Sequence, residues 1–446
     1  MESGSGRKAL TSTLSRREFL VGAAGAAVAT RGLAVSPASA ATAGGREFTE
    51  WGWPQPYEKV SEASIKWLKE SGRWPLVNGW QVTWINPCTV DLVMRKLGLL
   101  EKRGLEGSPQ LLPVLSGRAL NEGMIAGKIH VAQAGNFPST GMMDAGFPVK
   151  GLLIRTPNID HSVIVAPDSP IKEAKDLKGK VVGLATGTSA EFFFTAYARL
   201  NGLDPTKDLT VKNLSIPDQI LFPRGIDAVV PWAPNSEIMV SGLKNGKRIA
   251  TSPPYQYYWG SLYVATDTIE KAPDVVQAVV DAVIEAELWI RLNLDQATEW
   301  TMADIEGFRK QPRELIRNQI HLYTNVYKPT QLYPFVRPYA AEGERVAGWL
   351  GEGKRIKKPL TYDDYVKYFD TRFIDKAFQK LGWRVPETPP LFPPGYSVED
   401  FIRDVREGKR LRATWPGELK APQPWPEPGD LTRPYYFGGK TYQPKS

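Results

Sequence analysis

The chain has 446 residues, 42% hydrophobic and 23% charged, a globular composition with enough apolar material for two or three domain-sized cores. Its formal charge of +8 falls to +5 once the five basic and two acidic residues of positions 1–40 are set aside, and the scattered basic residues argue against nucleic-acid binding. A single cysteine, Cys88, excludes an intrachain disulfide. The three histidines His130, His161 and His321 lack metal-ligand spacing, so ordinary packing or surface roles are expected of them, and a zinc or Ser-His-Asp enzyme has little to build with.

The chain opens on Ser15-Arg16-Arg17-Glu18-Phe19-Leu20, an apolar Ala/Gly-rich run from Val21 to Ala29, and Ala38-Ser39-Ala40. This pattern predicts a twin-arginine export signal over residues 1–40, cleaved near Ala40. Its apolar run falls short of the roughly 20 residues of a membrane span. A soluble mature protein in the periplasm is expected, with no cofactor motif and no metal site.

From Trp80 to about Asn293 short apolar runs alternate with amphipathic stretches, the pattern of a mostly parallel α/β fold. Gln81 to Ile85 reads as a strand, with Asn86-Pro87 as N-cap and first-turn proline of a helix to Leu100. Leu111 to Leu115 and His130 to Ala134 follow as strands, separated by a helix after Ser116-Gly117. Further strands are expected at Val149 to Arg155, Ser162 to Ala166, Val181 to Leu184, Leu209 to Asn213, Ile226 to Val230, Arg248 to Ala250 and Leu262 to Ala265. A helix from Ala190 to Asn201 follows the loop Ala185 to Ser189, and Pro273 to Leu292 has apolar residues at helical spacing. Beyond Asn293, helical pieces at Arg313 to Tyr323 and Tyr362 to Gln379 sit among proline-rich, aromatic stretches. The tail from Trp415 to Ser446 holds seven prolines and reads as an extended arm or partly disordered.

Several segments follow one another in a telling order: Ser116-Gly117 with Asn121-Glu122 and Ala126 to Ala132; Asp176 to Gly183; Gly187-Thr188-Ser189; Gly202 to Pro205; Gly225 to Val229; and Trp232-Ala233-Pro234. Together they resemble the nitrate/sulfonate/taurine class of periplasmic solute-binding proteins. The resemblance implies an α/β, two-lobed type II periplasmic binding protein fold with a C-terminal helical and irregular extension. Lobe I would comprise 46–160 and a return segment 254–330, lobe II 161–253, and the extension 331–446. The chain departs from the pattern at His130, where an Asp is usual, and at Arg118, where a small residue or proline is commoner.

Ligands of such sheets gather where strand ends run into helix starts. The loops around Trp84 and Asn86, Ser116 and Arg118, Gln133, Asn136 and Phe137, Thr186, Thr188 and Ser189, and Trp232 are therefore the expected ligand contacts. Helix N-termini favour anions, and Arg118, unfavourable for its own helix dipole, would meet one by a charge-assisted fork; its plainer reading is a solvated surface arginine. Tyr255 and Trp259 add aromatic wall and Gln219 a neutral hydrogen bond. The expected partners are a small organic anion and an ABC permease in the cytoplasmic membrane, with the protein monomeric and not an enzyme. A sensory or partner-binding role for the same clamp is the alternative. A thiamine pyrimidine-precursor synthase would need a Cys-rich motif that Cys88 alone does not supply.

Overall fold

The computed structural model describes residues 41–446 apart from 158, 160, 326–327, 329, 335–336, 386–391 and 414–423. The expected export signal and its cleavage position lie outside the described residues, as does the first part of the proline-rich tail.

The described residues begin with three short antiparallel strands, β1 (Ala41–Ala43), β2 (Arg46–Phe48) and β3 (Pro54–Gln55), followed by α1 (Glu62–Glu70). Then come β4 (Val77–Gln81), α2 (Ile85–Lys96), β5 (Gln110–Val114), α3 (Gly117–Ile125), β6 (Val131–Gly135), α4 (Asn136–Asp144) and β7 (Val149–Pro157). The next stretch carries β8 (Ser162–Val165), β9 (Val181–Leu184), α5 (Ser189–Leu200), β10 (Thr210–Asn213), β11 (Ala228–Val229) and β12 (Lys247–Thr251), after which β13 (Trp259–Ala265) returns. Two five-stranded sheets result, ordered β5-β4-β6-β13-β7 and β10-β9-β11-β8-β12.

Both sheets follow one plan. Three parallel strands are joined by an antiparallel strand, β13 in the first sheet and β8 in the second, with a further antiparallel pairing at the edge. The chain crosses between sheets twice, from β7 to β8 and from β12 to β13, which makes two lobes.

The rest is helical: α6 (Pro273–Leu292), α7 (Leu294–Asp304), α8 (Arg313–Asn325), α9 (Arg337–Glu352), α10 (Tyr362–Tyr368), α11 (Arg372–Leu381) and α12 (Val398–Arg406), closing on a hairpin of β14 (Tyr435–Phe437) and β15 (Lys440–Tyr442). The apolar spacing of α6 predicts an amphipathic helix, yet the polar side is buried too. Its Glu285 carboxylate, fully buried, accepts from Trp51 Nε1 at 2.9 Å, Tyr57 Oη at 2.8 Å and Arg103 Nη2 at 2.8 Å. A buried charge held this way is satisfied on every side. No helix among the described residues is long and apolar enough to cross a membrane.

Several expectations shift. The strand expected at Gln81 to Ile85 is β4, ending where that strand was to begin; Asn78 and Gly79 disfavour a strand by propensity, but a Cβ on Gly79 would lie 2.0 Å from Leu120, so packing selects glycine there. Trp84, not Asn86, occupies the N-cap position of α2, and the Asn86 side chain instead accepts from Gln331. The Tyr362 to Gln379 helix is two helices, because Phe369 and Asp370 pair with Gly151 on β7. Together with the Tyr333 bridge to Ile154, that pairing covers the edge of the first sheet. The end of the proline-rich tail is an ordered hairpin, with Tyr435 buried and donating to the Gly52 carbonyl at 2.7 Å.

Candidate functional site

The carboxyl ends of the two sheets face each other across a small cavity of about 30 Å³. The first lobe contributes Gln81 at the end of β4, Trp84 at the N-cap of α2, Gly117 in the first turn of α3, Gly135 at the end of β6 and Pro138 in α4. The second lobe and the crossings contribute Ile159, His161, Thr188, Ser189, Trp232 and Tyr258. The Trp232 indole Nε1 and the Asn235 amide both donate to the Thr83 carbonyl at 3.1 Å, bonding the loop after β11 to the loop after β4 across the mouth of the cleft.

Local sequence sets this geometry. Thr188 caps α5 by accepting from the Ala190 amide at 3.3 Å, and Ser116 caps α3 by accepting from the Ala119 amide at 3.3 Å, so both helices start at the cavity wall. Gly135 lets the backbone approach Tyr258: a Cβ there would lie 2.6 Å from the ring. Trp84 meets Tyr258 edge to face at 5.8 Å, and His161 lies against Phe193, Trp232 and Tyr258.

His161 is the cavity's unexpected member. Its Nε2 sits 3.0 Å from the Ser189 hydroxyl, while Nδ1 is buried with no hydrogen-bond partner, as is the Trp84 indole Nε1. Burial holds the imidazole well below its ordinary range, at about 3, so the ring is neutral near pH 7. Among the described residues, no lysine or arginine lines the cavity. What the site offers is a set of neutral groups, two helix starts and an aromatic wall, suited to holding a small solute by directed hydrogen bonds.

Of the residues singled out from the sequence, Trp84, Thr188, Ser189 and Trp232 line the cavity. Ser116 stands beside it as a helix cap. Arg118 does not reach it: its side chain is 76% exposed and pairs with Glu122 one turn on at 2.9 Å, which resolves its conflict with the helix dipole without a ligand. Thr186 is exposed, its amide bonded to Asn213. The Gly187 amide is already taken by Glu191 at 2.8 Å, so an internal carboxylate occupies part of the expected anion loop.

Other expected contacts are absorbed into the core. Asn136 and Phe137 are not in a loop but open α4; the Asn136 side chain accepts from the Phe137 amide, and Phe137 packs with Phe192, Val346 and Leu350. Gln133 points at Asp91, 3.4 Å away, and Gln219 donates to the Leu214 carbonyl at 2.9 Å. Tyr255 packs on Tyr197 at 5.1 Å. Trp259 lies within β13, fully buried, donating to the Tyr339 carbonyl at 3.0 Å. Its neighbour Tyr258 takes the cavity position, since successive residues of an extended chain face opposite ways. His130, the departure from the family pattern, accepts from the Val77 amide at 3.1 Å and pins the start of β4.

A family model described as NMT1/THI5 like matches residues 119–297. The putative aliphatic sulfonates-binding protein of Bacillus subtilis is 27% identical over 273 residues, covering 59% of this chain and 77% of that protein. Among solved structures, the alkanesulfonate-binding protein SsuA of Xanthomonas axonopodis pv. citri, bound to MOPS, superposes with a TM-score of 0.56 at 18% identity, over 65% of this chain and 96% of that one. The periplasmic nitrate-binding protein NrtA of Synechocystis superposes with a TM-score of 0.53 at 13% identity, over 83% of this chain and 94% of its own. Residues 119–297 are thus similar to the NMT1/THI5-like model, the chain is similar in sequence to aliphatic sulfonate-binding proteins, and its fold is that of the type II periplasmic binding proteins with added C-terminal helices.

Proposed function

We propose that this protein is the exported solute-binding component of an ABC importer, capturing a small organic oxyanion of the sulfonate class between its two lobes and passing it to a membrane permease. The observation that carries the reading is the cavity at the facing strand ends, where Trp84 Nε1 and His161 Nδ1 are buried without partners beside the Thr188 and Ser189 hydroxyls. Buried polar atoms of this kind cost about 1–3 kcal/mol each when unmet, and a ligand that bonds them recovers that cost. Similarity to sulfonate-binding proteins supports the solute class, the Arg16-Arg17 pattern supports twin-arginine export with cleavage near Ala40, and the shared fold with the periplasmic aliphatic sulphonate binding protein SsuA of Escherichia coli supports a periplasmic location. The protein acts as a monomer and catalyses no step.

A cavity of about 30 Å³ holds little more than water, so loading proceeds through lobe opening and recapture. Thermal-shift measurement on residues 41–446 against alkanesulfonates, taurine, nitrate, carboxylates and pyrimidines, followed by calorimetry, tests the reading. Selective stabilisation by sulfonates supports it through mass action; stabilisation by no anion of the panel overturns it.

A further inference from the structure

The helices after β13 do more than extend the first lobe. They are anchored there by Tyr365 Oη to Thr140 Oγ1 at 2.6 Å, by the Asp370 amide to the Gly151 carbonyl at 2.7 Å and by the Lys357 amide to Asp144 at 2.7 Å. From that base they reach the second lobe. Arg355 meets both carboxylate oxygens of Glu191, at 2.8 and 2.5 Å, Glu352 pairs with Arg199 at 2.8 Å, and Arg410 donates to Asn201 at 2.7 Å.

Trp349 stands between the lobes. Its ring lies 5.5 Å from Phe137 of α4 and 5.5 Å from Phe192 of α5, two helices that both start at the cleft wall. Arg355 stacks over the same indole at 4.7 Å. A cavity of about 530 Å³ lies between α5 and α9 beside these contacts, and the apolar part of the grip is the buried cluster of Phe137, Phe192, Val346 and Leu350 against which Trp349 packs. Through Glu191 the grip extends to the ligand loop, because the carboxylate oxygen that takes Arg355 Nη1 also takes the Gly187 amide.

We propose that Arg355 and Trp349 are positioning residues of the binding cleft: they strap the second lobe to the first, hold the clamp closed before ligand arrives, and fix the loop at 186–189 through Glu191. The proposal rests on the clamp reading above. In an unstrapped binding protein the ligand must itself favour the closed state, whereas here part of that work is done by the chain's own extension. Bidentate guanidinium–carboxylate geometry suits the role, since it resists rotation as well as separation. Removing the strap lowers the closed fraction and weakens apparent affinity by the same factor.

The test is a distance measurement in the ligand-free mature protein. Spin labels at Lys128→Cys and Lys207→Cys report separation of the lobes, with Cys88 buried and its thiol pushed up by burial and so unreactive. The parent should give a narrow, short distribution; Arg355→Glu combined with Trp349→Ala should shift it to longer distances while circular dichroism stays unchanged. The swap Arg355→Glu with Glu191→Arg should restore the short distance without restoring the Gly187 contact. Unchanged distances in a folded unstrapped variant, or a swap that leaves the lobes open, overturn the proposal. If the combined variant does not fold, Arg355→Gln alone should broaden the distribution, and identity with the parent again overturns it. Failure of every sulfonate, taurine and nitrate probe to bind would sink the solute-class reading and leave the distance result standing.

Discussion

The Trp232 indole of the second lobe donates to the Thr83 carbonyl of the first at 3.1 Å, one bond that joins the two halves of the cleft directly. Trp232→Phe keeps the ring and removes the donor. A neutral hydrogen bond is worth about 0.5–1.5 kcal/mol, so ligand affinity should fall about two- to tenfold in calorimetry. Unchanged affinity would mean that the bond does not help to close the cleft.

His161 gives the protein a pH dependence of definite sign. Its ring is held at about 3 in the fold against an ordinary 6.5, so the unfolded chain binds the extra proton between these values. The stability conferred by the neutral ring is therefore complete above about 6.5 and is lost as pH falls toward 3, by up to about 1.4 kcal/mol per pH unit. Urea unfolding of His161→Asn, compared with the parent from pH 7 to pH 4, should show a shallower decline; parallel curves would contradict the burial assigned to this ring.

In the first lobe, Arg155 of β7 and Asp91 of α2 form a fully buried pair at 2.7 Å, and Arg155 also donates to the Pro87 carbonyl. Burial pushes the Asp91 carboxyl up against the pull of the guanidinium. Arg155→Met strands that carboxyl and should cost about 3–5 kcal/mol, while Arg155→Met with Asp91→Leu should recover most of it. Chemical denaturation of both variants distinguishes a stranded charge from a packing defect, which the second change would not repair.

Gly135→Ala places a methyl 2.6 Å from the Tyr258 ring. Overpacking of this kind costs about 1–3 kcal/mol, and the ring's escape is into the cleft. Ligand affinity should fall more than stability does, read by calorimetry beside thermal unfolding.

Arg118→Ala, in contrast, should leave affinity within twofold and stability without a resolvable loss, because an exposed pair with Glu122 contributes little. A large loss of binding would return Arg118 to the site.

The sequence by itself determined the alternation of strands and helices from Trp80 to Asn293, because hydrophobic period and turn residues are local properties. Val181 to Leu184 and Pro273 to Leu292 are found as strand and helix at the expected residues. Helix caps such as Thr188 were legible too, since a cap is written in neighbouring residues. What the sequence could not determine is which side chain of a loop turns inward. Trp259 and Tyr258 are adjacent, and only the pairing of β13 with β6 and β7 decides that one enters the core and the other the cavity. His161 looked like a lone histidine because its partners Ser189, Trp232 and Tyr258 are brought to it by two chain crossings. Arg118 looked like an anion ligand because local electrostatics called for a negative partner, which the fold supplied as Glu122 in the same helix. The strap from Trp349 and Arg355 was illegible for the same reason: its contacts with Phe137, Phe192 and Glu191 span more than 150 residues, and long-range packing leaves no periodic trace in the chain.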